Sequence, residues 1–201
     1  MEKITRVYTV YDFEELSEKA KEVVRQWYID DEIRVNCYDD EIQCYIAENY
    51  KHSSLDVQWS LNCCQGDGVN IFGKIALVDL IDKIDFSSFT EKEKRFIIWA
   101  VNKYRCYGTI PRNYNYCYSV ATFGDYITLL TENLEDDNIR DINNAALEKF
   151  DKICGEYVNQ VCKDLEKDGY IYLYEPTEEE IIEVCAANNW KFTEDGRFFS
   201  L

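Results

Sequence analysis

Ile139, Ile142, Ala146, Phe150, Ile153, Tyr157, Val161 and Leu165 follow one another at intervals of three or four residues. That spacing returns side chains to one face of an α-helix for roughly eight turns. It predicts one long amphipathic helix near 138–168, ending near Gly169. Such a helix owes most of its stability to burying its apolar face. The rest of the chain must therefore supply a surface that covers the stripe.

The candidates for that surface are mixed in type. Ile4–Tyr11 alternates and is rich in β-branched residues, which predicts an opening strand. Ser17 suits an N-cap for a helix starting at Glu18, with Leu16, Ala20, Val23 and Trp27 on one face. Asp39, Asp40 and Glu41 place acids where a second helix would start, with Ile42, Tyr45, Ile46 and Asn49 or Tyr50 as its stripe. Val57, Trp59, Leu61 and Cys63 alternate as a strand, and Gln65-Gly-Asp-Gly68 turns the chain into a further strand at 69–72. The run 75–81 is ambiguous by period, with a short helix in its later part. Thr90 and Glu93 form a capping-box pair opening a helix to about Lys103. Residues 114–123 alternate as a strand, Pro176 opens a short helix to Asn188, and 190–199 reads as a hairpin turning at Asp195-Gly196. Partly segregated strands and helices predict an α+β fold, an antiparallel sheet with packed helices. With only Pro111 and Pro176 as prolines and no linker or repeat, residues 1–201 are expected to form a single compact domain.

Charge narrows the partners. The chain holds 22 basic and 39 acidic side chains, a net of −17. Residues 1–100 carry 12 against 20 and residues 101–201 carry 10 against 19, so the acidity is dispersed and is not a tail. A field of that sign repels phosphate backbones and favours basic protein surfaces, so no direct nucleic-acid binding is expected. Solubility alone is the plainer account of the same charge.

Nine cysteines and one histidine bear on compartment and chemistry. No secretory leader or membrane-spanning run is expected, and an odd cysteine number fits free thiols in a reducing cytoplasm. No CxxC pair occurs, so neither a zinc site nor any cofactor is expected. Most cysteines read as small core residues, and Cys63-Cys64 as core or edge thiols rather than a strained vicinal disulfide. His52 has Ser53 and Ser54 beside it but no Gly-x-Ser-x-Gly elbow, so it reads as a surface histidine after a helix end. Asp67, at the tip of the glycine turn, reads as hairpin chemistry; the other reading is a carboxylate for Mg²⁺ or Ca²⁺, without the repeated acids of an EF-hand. With no catalytic constellation, the chain is not expected to be an enzyme.

Two regions are candidate binding surfaces. Residues 103–131 combine Lys103, Arg105 and Arg112 with Tyr107, Tyr114 and Tyr116 against one acid, and tyrosine with arginine dominates protein-binding hot spots. Glu135, Asp136, Asp137 and Glu178, Glu179, Glu180 form acidic runs whose carboxylates resemble a phosphate array. At each run, an ordinary solvated helix face is the competing reading.

Tyr11-Asp-Phe-Glu-Glu-Leu-Ser-Glu-Lys-Ala20 resembles the Tyr-x-Phe-x-Glu-Leu-Ser opening of small acidic proteins of phages and prophages. Gln65–Gly68 and Phe192-Thr-Glu-Asp-Gly196 resemble that family's central turn and C-terminal segment, in the same order. The resemblance implies a phage or mobile-element origin and an anti-CRISPR-like role, inside the bacterial host cell. On that basis, together with charge, the chain is expected to inhibit a host defence nuclease by covering its basic nucleic-acid-binding surface. An antitoxin-like or regulatory partner of one cognate protein, and a metal-dependent enzyme acting on nucleotides, are the alternatives.

Overall fold

The computed structural model describes residues 7–30, 32–112 and 137–200, with residues 32–33 and 137–144 described as backbone only. The fold is α+β. The chain divides into two compact units, Met1–Asp39 with Tyr170–Leu201, and Asp40–Gly169. The divisions fall inside two helices, α2 (Glu32–Asn49) and α4 (Asp137–Tyr174).

In the first unit a 3₁₀ turn at Phe13–Glu15 leads into α1 (Glu18–Ile29), and α5 (Glu178–Ala187) precedes a short hairpin of β4 (Lys191–Phe192) and β5 (Phe198–Phe199). Ser17 caps α1 by accepting from the Ala20 amide at 3.3 Å. Thr177 does the same for α5 through Glu180 N at 3.1 Å. Each cap satisfies a donor that a helix start would otherwise leave unpaired. Phe13, Leu16, Ala20, Val24 and Tyr28 bury against Ile181, Cys185 and Phe192. The buried face of α1 is thus Ala20-Val24-Tyr28, one residue on from the expected Val23, which is 40% exposed. Trp27 is partly buried and stacks on Phe198 at 4.9 Å, with Trp190 edge-on at 5.1 Å. The expected opening strand is not formed at residues 7–10; Tyr11 alone makes an antiparallel bridge, to Phe192. The two-residue strand β4 leaves nothing longer for it to pair with at that point.

In the second unit three antiparallel strands lie in the order β1 (Ser54–Ser60), β2 (Gly68–Ala76), β3 (Tyr107–Ile110). Central β2 is buried at four successive positions, Gly68–Ile71, as expected of a strand covered on both faces. It runs through the ambiguous segment to Ala76 before a 3₁₀ turn at Leu77–Asp79. Gly73 lies in β2 at φ +119, and an added Cβ would sit 2.4 Å from the backbone oxygen of Ser54. Only glycine fits that approach. The helix α3 (Glu91–Tyr104) begins in the expected capping box, Thr90 N donating to Glu93 Oε2 at 2.7 Å and Glu93 N to Thr90 Oγ1 at 3.3 Å.

Two helices are longer than their sequence signals. The helix α2 starts at Glu32 and not at Asp39–Glu41, and its buried series is Tyr38, Ile42 and Ile46, continued by buried Tyr50 just past its end. The helix α4 passes through Gly169 to Tyr174. A helical glycine costs about 1 kcal/mol relative to alanine, little enough for packing to override, and Gly169 is buried. The α4 stripe contains Ala146, Phe150 and Val161 as expected, but Leu147, Cys154, Val158 and Cys162 in place of Ile153 and Tyr157. The expected strand at 114–123 lies outside the described residues.

Candidate binding site

The β1–β2 hairpin loop is organised by Asp67. Its Oδ2 accepts from the amides of Asn62 at 2.7 Å and Cys64 at 2.8 Å, while Oδ1 accepts from Ser60 Oγ at 2.8 Å and Cys64 Sγ at 3.1 Å. The Asp67 hydrogen bond is the main reason that the exposed Cys64 thiol is pushed up. Gly66 and Gly68 have φ +98 and +149, and Cys63 joins them in the left-handed region at +56. Both oxygens of Asp67 serve the turn, which accounts for a carboxylate there without a metal. Asp67→Ala is expected to destabilise the second unit by about 1–3 kcal/mol, the cost of stranding amides that a carboxylate held. Urea unfolding of the variant reads this directly, and an unchanged midpoint would remove the loop-closing role.

His52 follows α2, as expected, but it is not isolated. Asp79, whose side chain is 6% exposed, lies 2.7 Å from His52 Nδ1 through its Oδ1. Its Oδ2 accepts from the His52 amide at 3.0 Å and from Ser53 Oγ at 2.6 Å. Ser53 Oγ in turn accepts from Ala76 N at 2.8 Å. The carboxylate therefore stands between serine and histidine. In a nucleophilic triad the histidine stands in the middle, so this order does not activate Ser53. The carboxylate fixes the proton on Nδ1 and leaves Nε2 as the ring nitrogen for another partner.

His52 lines an open cavity of about 380 Å³ whose wall also includes Val101, Asn102, Arg105, Cys106 and Tyr107. The end of α3 positions them. Arg105 is its C-cap in the left-handed conformation, φ +48, and Arg105 N donates to Val101 O at 3.0 Å. Cys106 then turns the chain into β3; its carbonyl accepts from Leu77 N at 3.0 Å, and burial pushes its thiol up. Of the sequence-expected binding residues, the structure brings Arg105 and Tyr107 together here. Arg112 lies elsewhere in this unit, with its Nε donating to Gln58 Oε1 at 2.8 Å and its guanidinium 5.1 Å from the Phe72 ring centre. Tyr114, Tyr116, Glu135 and Asp136 are outside the described residues, and Asp137 is described only as the backbone start of α4.

The acidic run of α5 belongs to the first unit. Glu178 is held by Lys21 at 3.0 Å and Arg25 at 3.4 Å, and the Lys21 hydrogen bond is the leading cause that lowers its carboxyl below the usual range. Glu180 pairs with Arg34 at 2.6 Å and accepts from Tyr28 Oη at 3.1 Å. Arg34 is 3% exposed and lies 4.5 Å from the Tyr28 ring and 5.1 Å from that of Tyr172. Burial first, and then Glu180, push the Tyr28 phenol up to about 12. Glu179 alone of the three is exposed without a cation among the described residues, and so are Glu14, on the 3₁₀ turn that packs against α5, and Glu183.

The cysteines divide evenly among the described residues. Cys106, Cys154, Cys162 and Cys185 are buried, while Cys37, Cys44, Cys63 and Cys64 are exposed, which corrects the expectation that most are core. Sequence reasoning missed the Asp79 partner of His52. Only the return of the chain from β2 brings a residue 27 positions away to the histidine, and no local signal announces it. Among the described residues no cluster of three metal-ligating side chains occurs, and no helix is long and apolar enough to cross a membrane. No protein-family model, curated protein or solved structure matches the chain.

Proposed function

We propose that this chain is a phage-encoded, anti-CRISPR-like inhibitor that covers a basic nucleic-acid-binding surface of a host defence nuclease. The observation that carries the reading is where the charge is uncompensated. Met1–Asp39 with Tyr170–Leu201 hold 8 basic against 17 acidic side chains, a net of −9 in about a third of the chain. The cations of that unit are largely consumed internally: Lys21, Arg25, Arg34, Lys191 and Arg197 each pair with a carboxylate of the same unit. Glu14, Glu179 and Glu183 are left facing solvent on adjoining elements. Unpaired carboxylates steer a basic partner and compete with phosphates for it, with a steep salt dependence. The resemblance of Tyr11–Ala20 to phage proteins supplies the host setting.

The test is capture from bacterial lysate at low salt, by the intact chain and by the triple variant Glu14→Gln, Glu179→Gln, Glu183→Gln. The wild type is expected to retain a nucleic-acid-binding defence protein and to release it when competing DNA or RNA is added. At about 0.5 kcal/mol for each exposed charge, the triple variant should bind about tenfold more weakly. Equal capture by both chains, or capture indifferent to nucleic acid, rejects the proposal.

A further inference from the structure

We propose that the His52–Arg105 cavity of the second unit is a binding site for a phosphate group, free or on a small ester. Three observations converge on it. First, acids make up 39 of the 201 residues, yet none of the described wall residues is a carboxylate, while two of them, His52 and Arg105, are basic. Second, the Arg105 guanidinium has no carboxylate partner among the described residues, which is also true of Arg95, whereas Arg25, Arg34 and Arg197 each have one; of these, Arg105 is the one that lines the cavity. A guanidinium with no carboxylate partner among the described residues can offer its donors to an incoming oxyanion. Third, the remaining polar groups are committed in ways that aim the site. Asp79 occupies His52 Nδ1, so Nε2 is the nitrogen left to a ligand, and Asn102 Nδ2 donates to Ile98 O at 2.8 Å.

The carbonyl end of α3 borders this cavity, and a helix C-terminus disfavours an anion. That opposition is reduced here, because Val101 O and Ile98 O already accept from Arg105 N and Asn102 Nδ2. A charge-assisted guanidinium bond outweighs what remains. A tetrahedral phosphate, with oxygens on every side, can engage Arg105, His52 Nε2 and the Tyr107 hydroxyl together; a planar carboxylate reaches fewer of them. A volume of about 380 Å³ admits a small ester as well as the free ion. The site is separate in residues from the acidic surface of the first unit, so either proposal can fail alone.

The chain's single histidine makes the test specific. Imidazole NMR resonances belong to His52 and to nothing else. Inorganic phosphate and methyl phosphate, titrated at fixed pH and ionic strength against chloride, are expected to shift them saturably. Methyl phosphate binding as well as the free ion identifies an ester site, and weaker binding identifies a free-phosphate site. Arg105→Gln should weaken the phosphate effect about tenfold or more, with Arg105→Lys recovering part of it and the remaining spectrum unchanged. A non-saturating response, acetate binding as tightly as phosphate, or equal titration of wild type and Arg105→Gln overturns the assignment.

Discussion

Gly196→Ala is expected to destabilise the first unit by about 3 kcal/mol or more. Gly196 turns the β4–β5 hairpin at φ +85, a conformation that costs any L side chain. Strain alone would amount to about 1–2 kcal/mol. The larger part is steric: an added Cβ would lie 2.2 Å from Ala20 O and 2.9 Å from Ala20 C, both backbone atoms of α1. No rotamer relieves a clash with backbone, so the hairpin must withdraw from the helix. That loosens the Trp27–Phe198 stack and the Phe192 packing. Chemical denaturation followed by circular dichroism gives the loss. A variant that unfolds with the wild type would show that the turn does not approach α1 so closely.

Phe150→Ala is expected to cost about 3–5 kcal/mol in the second unit, the range for emptying a fully buried aromatic position. Phe150 is 0% exposed and stacks on Phe86 at 6.1 Å. Ile153→Ala, one turn further along α4, should cost less than half as much, because Ile153 is only half-buried while neighbouring Cys154 is fully buried. Comparing the two urea midpoints tests the rotation of the stripe. Equal losses would return the buried face to Ile153.

The contrast between Ile153 and Cys154 explains how the helix was readable and its face only roughly so. Spacing of apolar residues reveals that a segment is helical. Hydrophobicity alone ranks isoleucine above cysteine, whereas burial depends on which side chain the neighbouring elements cover. The same limit rotated α1, where Val23 and Val24 are chemically identical and only Val24 is buried. Caps were legible because they are local: Ser17 and Thr90 each satisfy an amide three positions away, as Thr177 also does beside the helix start read at Pro176. The start of α2 was not, since Asp39–Glu41 are as compatible with a helix interior as with its first turn. Composition drew Arg105 and Tyr107 into one candidate region. Their cavity was not legible, because His52 and Val101–Tyr107 meet only through the sheet.

Sequence alone determined the α+β class, the capped helix starts, the Asp67 and Gly196 turns and the excess of negative charge. Each rests on residues within a few positions of one another or on composition, where chain connectivity supplies the geometry. Tertiary structure decided which acids are neutralised, which cysteines are buried, and that Asp79 stands beside His52. Those depend on distances between segments remote in the chain, and no local propensity encodes them.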